Sequence, residues 1–285
     1  MTAMSALDLF GSSRRNLAKR LLAESQRIAA FIDRQIAAML AGWAALTLLA
    51  GAVKLALLIA MHPKFARADL LAGLVGTYLL IAAAPIAGFA LVNSVFPQGQ
   101  AAPQPSVRLC RFGQWANVTA SEARLRPGFG MSGLLVSLVA GLMLSISLRL
   151  IEYIVAMPAI PAGAPAWALA MFRIMTFDLV FFSFLYSVCI TMALRAAPLF
   201  PRMLCYTWLC DLLMQVAIAR HTVGVGGLPP EVAEALQPYL LVNIKKILIS
   251  VAIWLPYLVV SKRINLTFRL RIKFDAAARL RTQSA

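Results

Sequence analysis

The sequence predicts an all-α polytopic membrane protein with six transmembrane helices, preceded by an amphipathic interfacial helix. Of its 285 residues, 61% are hydrophobic and 13% are charged, whereas a soluble domain carries roughly 25% charged residues. Six apolar runs are long enough to cross the ~30 Å hydrocarbon core, which takes about 20 helical residues. Lys and Arg are abundant in some of the joining segments and scarce in the others, which is the pattern that orients membrane proteins.

Residues 1–36 form a polar, basic segment with one apolar face. The residues at helical spacing on that face are Leu17, Leu21, Ile28, Ile32 and Ile36. Most charges fall elsewhere on the helix, although Glu24 interrupts the apolar stripe. We expect the segment to lie along the inner leaflet before it turns into the first span. A role in binding a partner protein is the alternative.

The six predicted spans cover residues 37–61, 70–96, 131–157, 168–194, 203–220 and 238–261. The longest connection opens with a stretch rich in Pro, Gln and Ala, which is typical of linkers. The predicted organisation is a cytoplasmic amphipathic segment (1–36), a two-helix membrane hairpin (37–96), a cytoplasmic loop (97–130), a four-helix membrane domain (131–261) and a basic cytoplasmic tail (262–285).

The positions of Lys and Arg predict the orientation. Six lie in residues 1–36, four in 97–130, two in the connection after the fourth span and seven in 262–285, which makes nineteen on one side. The other side holds three: Lys64, Arg67 and Arg220. Both termini are therefore predicted to be cytoplasmic. Contact with an anionic inner leaflet explains most of the net charge of +16, so nucleic acid is not expected as a partner.

The last span ends with a motif that reads Trp254-Leu-Pro-Tyr-Leu-Val-Val-Ser-Lys-Arg-Ile-Asn-Leu-Thr-Phe268. It resembles the ending of the bacterial inner-membrane proteins grouped as domain-of-unknown-function family 2569. Phe200-Pro-Arg202 before the fifth span and Gly133-Leu at the third are also similar to that family. The resemblance covers about residues 130–275. It implies a four-span fold in a bacterial inner membrane, and it transfers no catalytic residue because the family has no assigned activity.

The motif also has a physical interpretation. Pro256 removes a backbone donor, so it should kink the last span near its cytoplasmic third. Trp254 and Tyr257 carry polar tips that suit the membrane interface, and Ser261, Lys262 and Arg263 follow where the anionic leaflet begins. The motif is therefore either a kinked helix with an interfacial anchor or a binding motif.

Charged residues inside the spans are the sharpest functional signal, because each costs at least ~2.5 kcal/mol at a helix centre unless it is paired or hydrated. There are eight: Lys54, Arg149, Glu152, Arg173, Asp178, Asp211, Lys245 and Lys246. At ~1.5 Å per residue, Arg149, Asp178 and Asp211 share a depth of about 12–15 Å from the outer ends of their spans. All eight fall in the outer half of the membrane.

These charges suggest a layer that either binds a ligand or forms ion pairs. Arg149 and Glu152 are three residues apart and can pair along one helix. Lys245 and Lys246 are adjacent, so one should face outward while the other faces the bundle. With five positive and three negative charges, the layer leaves room for an anionic ligand, a lipid headgroup or water. It is either an outward-facing polar cavity or a buried salt-bridge network that fixes helix packing.

No catalytic, metal or cofactor site is predicted. The four cysteines form no C-x-x-C pair, and the two histidines lie at span edges, where they could not hold a haem between helices. Phosphate-loop and hydrolase signatures are lacking. The predicted function is non-enzymatic, as an accessory or scaffold subunit of a larger membrane-protein assembly. The alternative is a small-solute or lipid transporter or binder that uses the charged layer.

Overall fold

The structure, a computed structural model, describes residues 3–61, 68–97, 99, 102–106, 113–158, 164–224 and 228–274. Within these ranges it contains eight helices and two short strands. In chain order they are α1 (Ala3–Met61), α2 (Ala68–Val95), β1 (Trp115–Asn117), α3 (Ala120–Arg124), α4 (Leu134–Ala156), α5 (Ala166–Leu194), α6 (Phe200–Gly224), α7 (Pro230–Val260), α8 (Lys262–Arg269) and β2 (Arg271–Lys273).

Six of the described helices, α1, α2 and α4 to α7, are long and apolar enough to cross a membrane. This confirms the predicted fold class and the predicted number of spans. The chain is therefore a multi-pass helical membrane protein. Two helices extend well beyond the predicted spans, since α7 starts at Pro230 and α1 continues far toward the N-terminus.

The first helix runs without a break from Ala3 to Met61, so no turn separates the amphipathic segment from the first span. Residues 12–41 contain neither Gly nor Pro, the residues at which helices usually kink. Part of the predicted apolar face packs on protein: Ile32 is buried with Ala29 against Val136 of α4. At ~1.5 Å per residue, 59 residues extend about 90 Å, so the first half of α1 lies outside any bilayer that its second half crosses.

The central helix of the bundle is α5, which packs against α2, α4 and α6, while α1 packs on α2 and α7 on α6. Two apolar clusters hold these helices together. One includes Phe182, Phe200 and Phe268, and the other includes Leu150 and Leu179. The burial of such side chains away from water stabilises the helix contacts where lipid does not cover them.

A proline inside α2 shows how the bundle repairs a missing hydrogen bond. Pro85 has no N–H to donate to the Ile81 carbonyl one turn earlier. That carbonyl instead accepts a hydrogen bond from the Trp43 indole of α1, at 3.3 Å. The Pro85 carbonyl accepts a hydrogen bond from Ser187 of α5, at 2.7 Å. Neighbouring helices thus satisfy polar backbone groups that lipid could not.

The long loop and the C-terminal segment join in a small module at one end of the bundle. Strands β1 and β2 pair antiparallel, with Ala116 opposite Ile272. Beneath them Ala123 of α3 and Leu266 of α8 are buried with Ile272. We call this end of the bundle the sheet end and the opposite one the cavity end.

Candidate functional site

Arg149, Asp178 and Asp211, which the sequence places at one depth on three different spans, lie in direct contact. The Arg149 guanidinium donates through Nη1 to Asp178 Oδ2 at 2.7 Å and through Nη2 to Asp211 Oδ2 at 2.6 Å. The Arg149 and Asp178 side chains are 14% and 11% exposed, and Asp211 is fully buried. One guanidinium therefore links α4, α5 and α6 through charge-assisted hydrogen bonds.

Two more side chains complete this contact, and we call the set of Arg149, Asp178, Tyr186, Asp211 and Gln215 the Arg149 cluster. The Tyr186 hydroxyl donates to Asp211 Oδ2 at 2.7 Å, and the Gln215 amide donates to Asp178 Oδ1 at 3.3 Å. The guanidinium also lies over the Phe182 ring, 5.0 Å from its centroid. The Arg149 cluster thus lies where the two apolar clusters meet on α5, since Leu179 belongs to one of them and Phe182 to the other.

The Arg149 cluster holds more hydrogen-bond acceptors than its own donors satisfy. Two carboxyl groups face a single guanidinium. Asp211 Oδ1 and Gln215 Oε1 are buried, and among the described residues neither has a hydrogen-bond partner. A positive excess was expected from the sequence for the whole layer, but at its buried centre the balance is the opposite, because the other cations lie elsewhere.

The second ion pair of the layer joins α4 to α7. Lys246 Nζ lies 2.5 Å from Glu152 Oε1, with the two side chains 50% and 30% exposed. The expected pairing of Arg149 with Glu152 along α4 is therefore wrong: Arg149 turns to α5 and α6, and Glu152 turns to α7. Of the two adjacent lysines, Lys246 makes this bridge and Lys245 is exposed.

The remaining charges of the predicted layer do not join either group. Lys54 of α1 donates to the Met157 carbonyl just after α4. Arg173 and Lys245 are exposed and make no ion pair within the described part of the chain. The eight intramembrane charges thus divide into a buried three-helix cluster, a half-exposed bridge and three separate cations.

Two cavities flank Arg149 instead of the single polar cavity that the sequence suggested. The larger has a volume of about 640 Å³, opens between α4, α5 and α7 toward the cavity end, and reaches Arg149 and Asp178. The smaller, about 200 Å³, lies between α4 and α7 and reaches Arg149, Asp211 and the Glu152–Lys246 bridge. Asp178 thus faces one cavity and Asp211 the other, with the guanidinium between them.

The larger cavity combines apolar walls with aromatic side chains and one carboxylate. Its walls include Met171, Met175 and Leu236, and its rings belong to Tyr153, Trp167 and Tyr239. The Tyr153 hydroxyl is held by Thr176 at 2.7 Å, so this ring has a fixed position. Asp178 and Arg149 are the charged groups that line it. Apolar walls with a few placed polar groups are typical of small-molecule sites.

The motif at the end of α7 lies toward the sheet end, and its residues line neither of the two cavities at Arg149. Trp254 and Tyr257 pack edge to face with ring centroids 5.9 Å apart. Helix α7 continues through Pro256 to Val260, and α8 begins at Lys262 after a single extended residue, Ser261. Arg263 turns back toward α4: its guanidinium carbon would lie 3.8 Å from a Cβ placed on Gly133.

Tyr186 and Gln215 were missed in the sequence analysis. Gln215 stands four residues after Asp211, on the same face of α6, and a polar side chain one turn from a buried carboxylate is a usable signal. Tyr186 ends an aromatic run on α5 that is also typical of lipid-facing material, so its role could not be separated from packing. Within the described residues, no group of three or more His, Cys, Asp or Glu side chains could hold a metal ion.

Comparison of the chain with protein-family models, with curated proteins and with solved structures gives no match. The resemblance of residues 130–275 to domain-of-unknown-function family 2569 therefore stays a prediction.

Proposed function

We propose that this multi-pass membrane protein is a non-enzymatic binder of a small organic cation with apolar substituents, which enters the larger cavity from the cavity end. The observation that carries the proposal is a cavity of about 640 Å³ with aromatic and apolar walls that reaches the buried carboxylate of Asp178. Its volume falls in the range of roughly 300–1,000 Å³ that is usual for small-molecule sites. A cavity of this size and composition is not needed to fix helix packing.

Charge and ring chemistry support a cation over an anion. Tyr153, Trp167 and Tyr239 line the cavity, and the faces of such rings attract quaternary and protonated amines. The Arg149 guanidinium is engaged by two carboxylates, so it has little capacity left for an anion. With both carboxyl groups ionised, a bound cation would bring the Arg149 cluster to neutrality.

Binding of matched probes tests the proposal. Purified protein in a non-ionic detergent is titrated with an alkyltrimethylammonium and with an alkylsulfonate of the same chain length, and binding is measured by calorimetry. We expect the ammonium probe to bind at least about tenfold more tightly, which corresponds to about 1.4 kcal/mol.

Variants then locate the binding site. Asp178→Asn keeps the shape of the side chain and removes its charge, so it should weaken binding of the ammonium probe by about tenfold or more. Glu152→Gln changes a carboxylate that lines only the smaller cavity and should leave binding of that probe unchanged. Equal affinity for both probes, or equal effects of the two variants, would contradict the proposal.

The second candidate function is that of an accessory or scaffold subunit, and α1 favours it. The first half of this helix exposes large apolar side chains, including Leu17, Leu21 and Phe31, each more than half exposed. Purification in mild detergent followed by mass spectrometry should then recover a partner protein in fixed ratio, and Leu21→Glu should release it. An unchanged protein composition in the Leu21→Glu variant would contradict this second candidate function.

We further propose that the protein resides in a bacterial inner membrane with both termini in the cytoplasm. The distribution of Lys and Arg supports this orientation, and the basic sheet end would then face the anionic inner leaflet. Nucleic acid is not among the proposed partners, since the basic residues lie next to spans.

A further inference from the structure

Two buried oxygen atoms beside the smaller cavity take no part in the site proposed for an organic cation. They are Asp211 Oδ1 and Gln215 Oε1, and neither has a hydrogen-bond partner among the described residues. Asp211 is fully buried and Gln215 is 1% exposed. Buried polar atoms of native proteins nearly always have a partner, so two such acceptors on one helix require an explanation.

Other contacts hold both side chains in place. Asp211 and Gln215 are four residues apart on α6, so they lie on the same face of the helix, one turn from each other. The second oxygen of Asp211 accepts hydrogen bonds from Arg149 and Tyr186. The Gln215 amide nitrogen donates to Asp178, and this contact with an acceptor fixes which end of the amide is the oxygen. The two remaining oxygens are therefore both acceptors.

The smaller cavity provides a route to these acceptors. It reaches from the half-exposed Glu152–Lys246 bridge to the buried Asp211, and its walls include the polar residues Ser145 and Asn243. Its volume of about 200 Å³ is below the roughly 300 Å³ at which sites for organic ligands begin. It has room for an ion and a few water molecules, each of which takes about 30 Å³.

Charge favours a cation over a water molecule as the missing partner. A water molecule could donate to both oxygens, but it would not change the charge of the Arg149 cluster. With both carboxyl groups ionised, Asp178 and Asp211 face the single guanidinium of Arg149, and one negative charge is left inside a membrane span, where it is costly. A monovalent inorganic cation would neutralise this charge and bind both oxygens, since hard cations prefer carboxylate and amide oxygens as ligands.

We propose that Asp211 Oδ1 and Gln215 Oε1 bind a monovalent inorganic cation of the size of Na⁺ at the inner end of the smaller cavity, with water completing its coordination. Neither residue lines the larger cavity, so the site is distinct from the one proposed for an organic cation and does not depend on it. One of the two protein ligands is a neutral amide, which is why the site needs no group of three acidic side chains.

Direct binding of ²²Na⁺ to the purified protein in a non-ionic detergent tests the site. Unlabelled NaCl or CsCl is added in competition at constant ionic strength. We expect NaCl to displace the label at concentrations at least about tenfold lower than CsCl, because a site formed by closely spaced oxygens selects ions by size. The measurement contains no organic cation, so its result is independent of whether the larger cavity binds one.

Variants assign the binding to the two oxygens. Gln215→Met keeps the length of the side chain and removes its amide oxygen, so it should weaken Na⁺ binding by about tenfold or more. Asp211→Asn removes the charge and should abolish saturable binding; if this buried variant does not fold, Gln215→Met decides alone.

Ser183→Ala is the matched control. Ser183 is also fully buried, its hydroxyl has no hydrogen-bond partner in the described part of the chain, and it lines neither cavity at Arg149. This variant should change Na⁺ binding by less than about twofold. The proposal is overturned if the wild-type protein shows no saturable binding of ²²Na⁺, if CsCl competes as well as NaCl, or if Gln215→Met and Ser183→Ala have equal effects.

Discussion

Asp211 is the residue on which the Arg149 cluster depends most, because it is fully buried and accepts hydrogen bonds from both Arg149 and Tyr186. Removing one partner of a buried ion pair commonly costs about 3–5 kcal/mol, since the other charge stays behind in a medium of low dielectric constant. We expect Asp211→Ala and Asp178→Ala to lower the free energy of unfolding by this amount. Urea unfolding in mixed micelles measures the change.

The half-exposed bridge provides the matched control. Lys246 and Glu152 are 50% and 30% exposed, and exposed pairs contribute at most about 1 kcal/mol. Glu152→Ala should therefore cost far less than Asp211→Ala. A cost for Glu152→Ala as large as that for Asp211→Ala would mean that burial does not set the strength of these pairs.

Coupling between the charges is a separate prediction. The double variant Arg149→Leu with Asp178→Leu should cost about 0.5–3 kcal/mol less than its two single variants added together, because the residues are in contact. Arg149→Leu with Glu152→Leu should show a smaller coupling, since Glu152 bonds to Lys246 instead. Unfolding midpoints of the single and double variants decide this. Additivity of Arg149 with Asp178 would exclude a connected Arg149 cluster.

For single residues, the sequence predicts the depth of the charged side chains better than it predicts which of them pair. Depth counting brings Arg149, Asp178 and Asp211 to one level because helices have a constant rise. It cannot give the rotation of one helix against another, and that rotation decides whether Arg149 meets Glu152 on its own helix or Asp178 on the next. The division of the layer into two cavities has the same cause.

Gly88 marks a close contact between α2 and α5. A Cβ on Gly88 would lie 2.7 Å from the backbone carbonyl oxygen of Phe184, and backbone cannot move aside as a flexible side chain can. Gly88→Ala should destabilise the protein by about 1–3 kcal/mol through overpacking. Thermal unfolding in detergent measures it.

Gly76 on the same helix is the control, because a Cβ there would meet no atom within 4 Å. Gly76→Ala should be neutral or stabilising by up to about 1 kcal/mol, as alanine is the better helix former. Equal losses for Gly76→Ala and Gly88→Ala would contradict a specific effect of the contact between α2 and α5.

The short helix α3 begins with a capping box that should be visible as a shifted titration. A hydrogen bond from the Thr119 backbone N–H is the main cause that holds the pKa of Glu122 below its ordinary value, and a hydrogen bond with the Thr119 side chain is the second. Because the folded pKa is depressed, the cap contributes its full stability at pH values above the unfolded pKa of about 4.3. This stability is lost as the pH falls through the folded pKa. Carboxyl ¹³C chemical shifts of labelled glutamates, assigned with Glu122→Gln, measure the folded value.

Thr119→Ala removes the hydroxyl that accepts from the Glu122 amide at 3.3 Å but keeps the Thr119 backbone donor. It should therefore raise the pKa of Glu122 part of the way to its ordinary value. A pKa of Glu122 that does not respond to Thr119→Ala would contradict the capping geometry.

Among the elements, the long apolar helices could be predicted and the short ones could not. Helices α2, α4, α5 and α6 follow from apolar length alone. Strands of three residues, such as Trp115–Asn117, are too short to show an alternating pattern, and their partner lies more than 150 residues away in the chain. The continuity of α1 depends on the absence of Gly and Pro around residue 36, a signal that the amphipathic pattern obscured.

For the whole molecule, the β1–β2 pair constrains topology independently of charge. Trp115 lies opposite Lys273, so the loop after the second span and the segment after the sixth must be on the same side of the membrane. An even number of spans between them, four, meets this condition. The positive-inside pattern then adds which side it is, and predicts the cytoplasm.

Reporter fusions at four positions test the orientation of the whole chain. Fusions after Gln98 and Ala285 should report the cytoplasm, and fusions after Pro161 and Gly227 the periplasm, because nineteen of the Lys and Arg residues outside the spans lie on the side of the first two positions and three on the side of the others. A result in which Gln98 and Ala285 lie on opposite sides would contradict the pairing of β1 with β2 and the six-span fold. Inversion of all four positions would instead keep the fold and place the cavity end, with its proposed site for an organic cation, toward the cytoplasm.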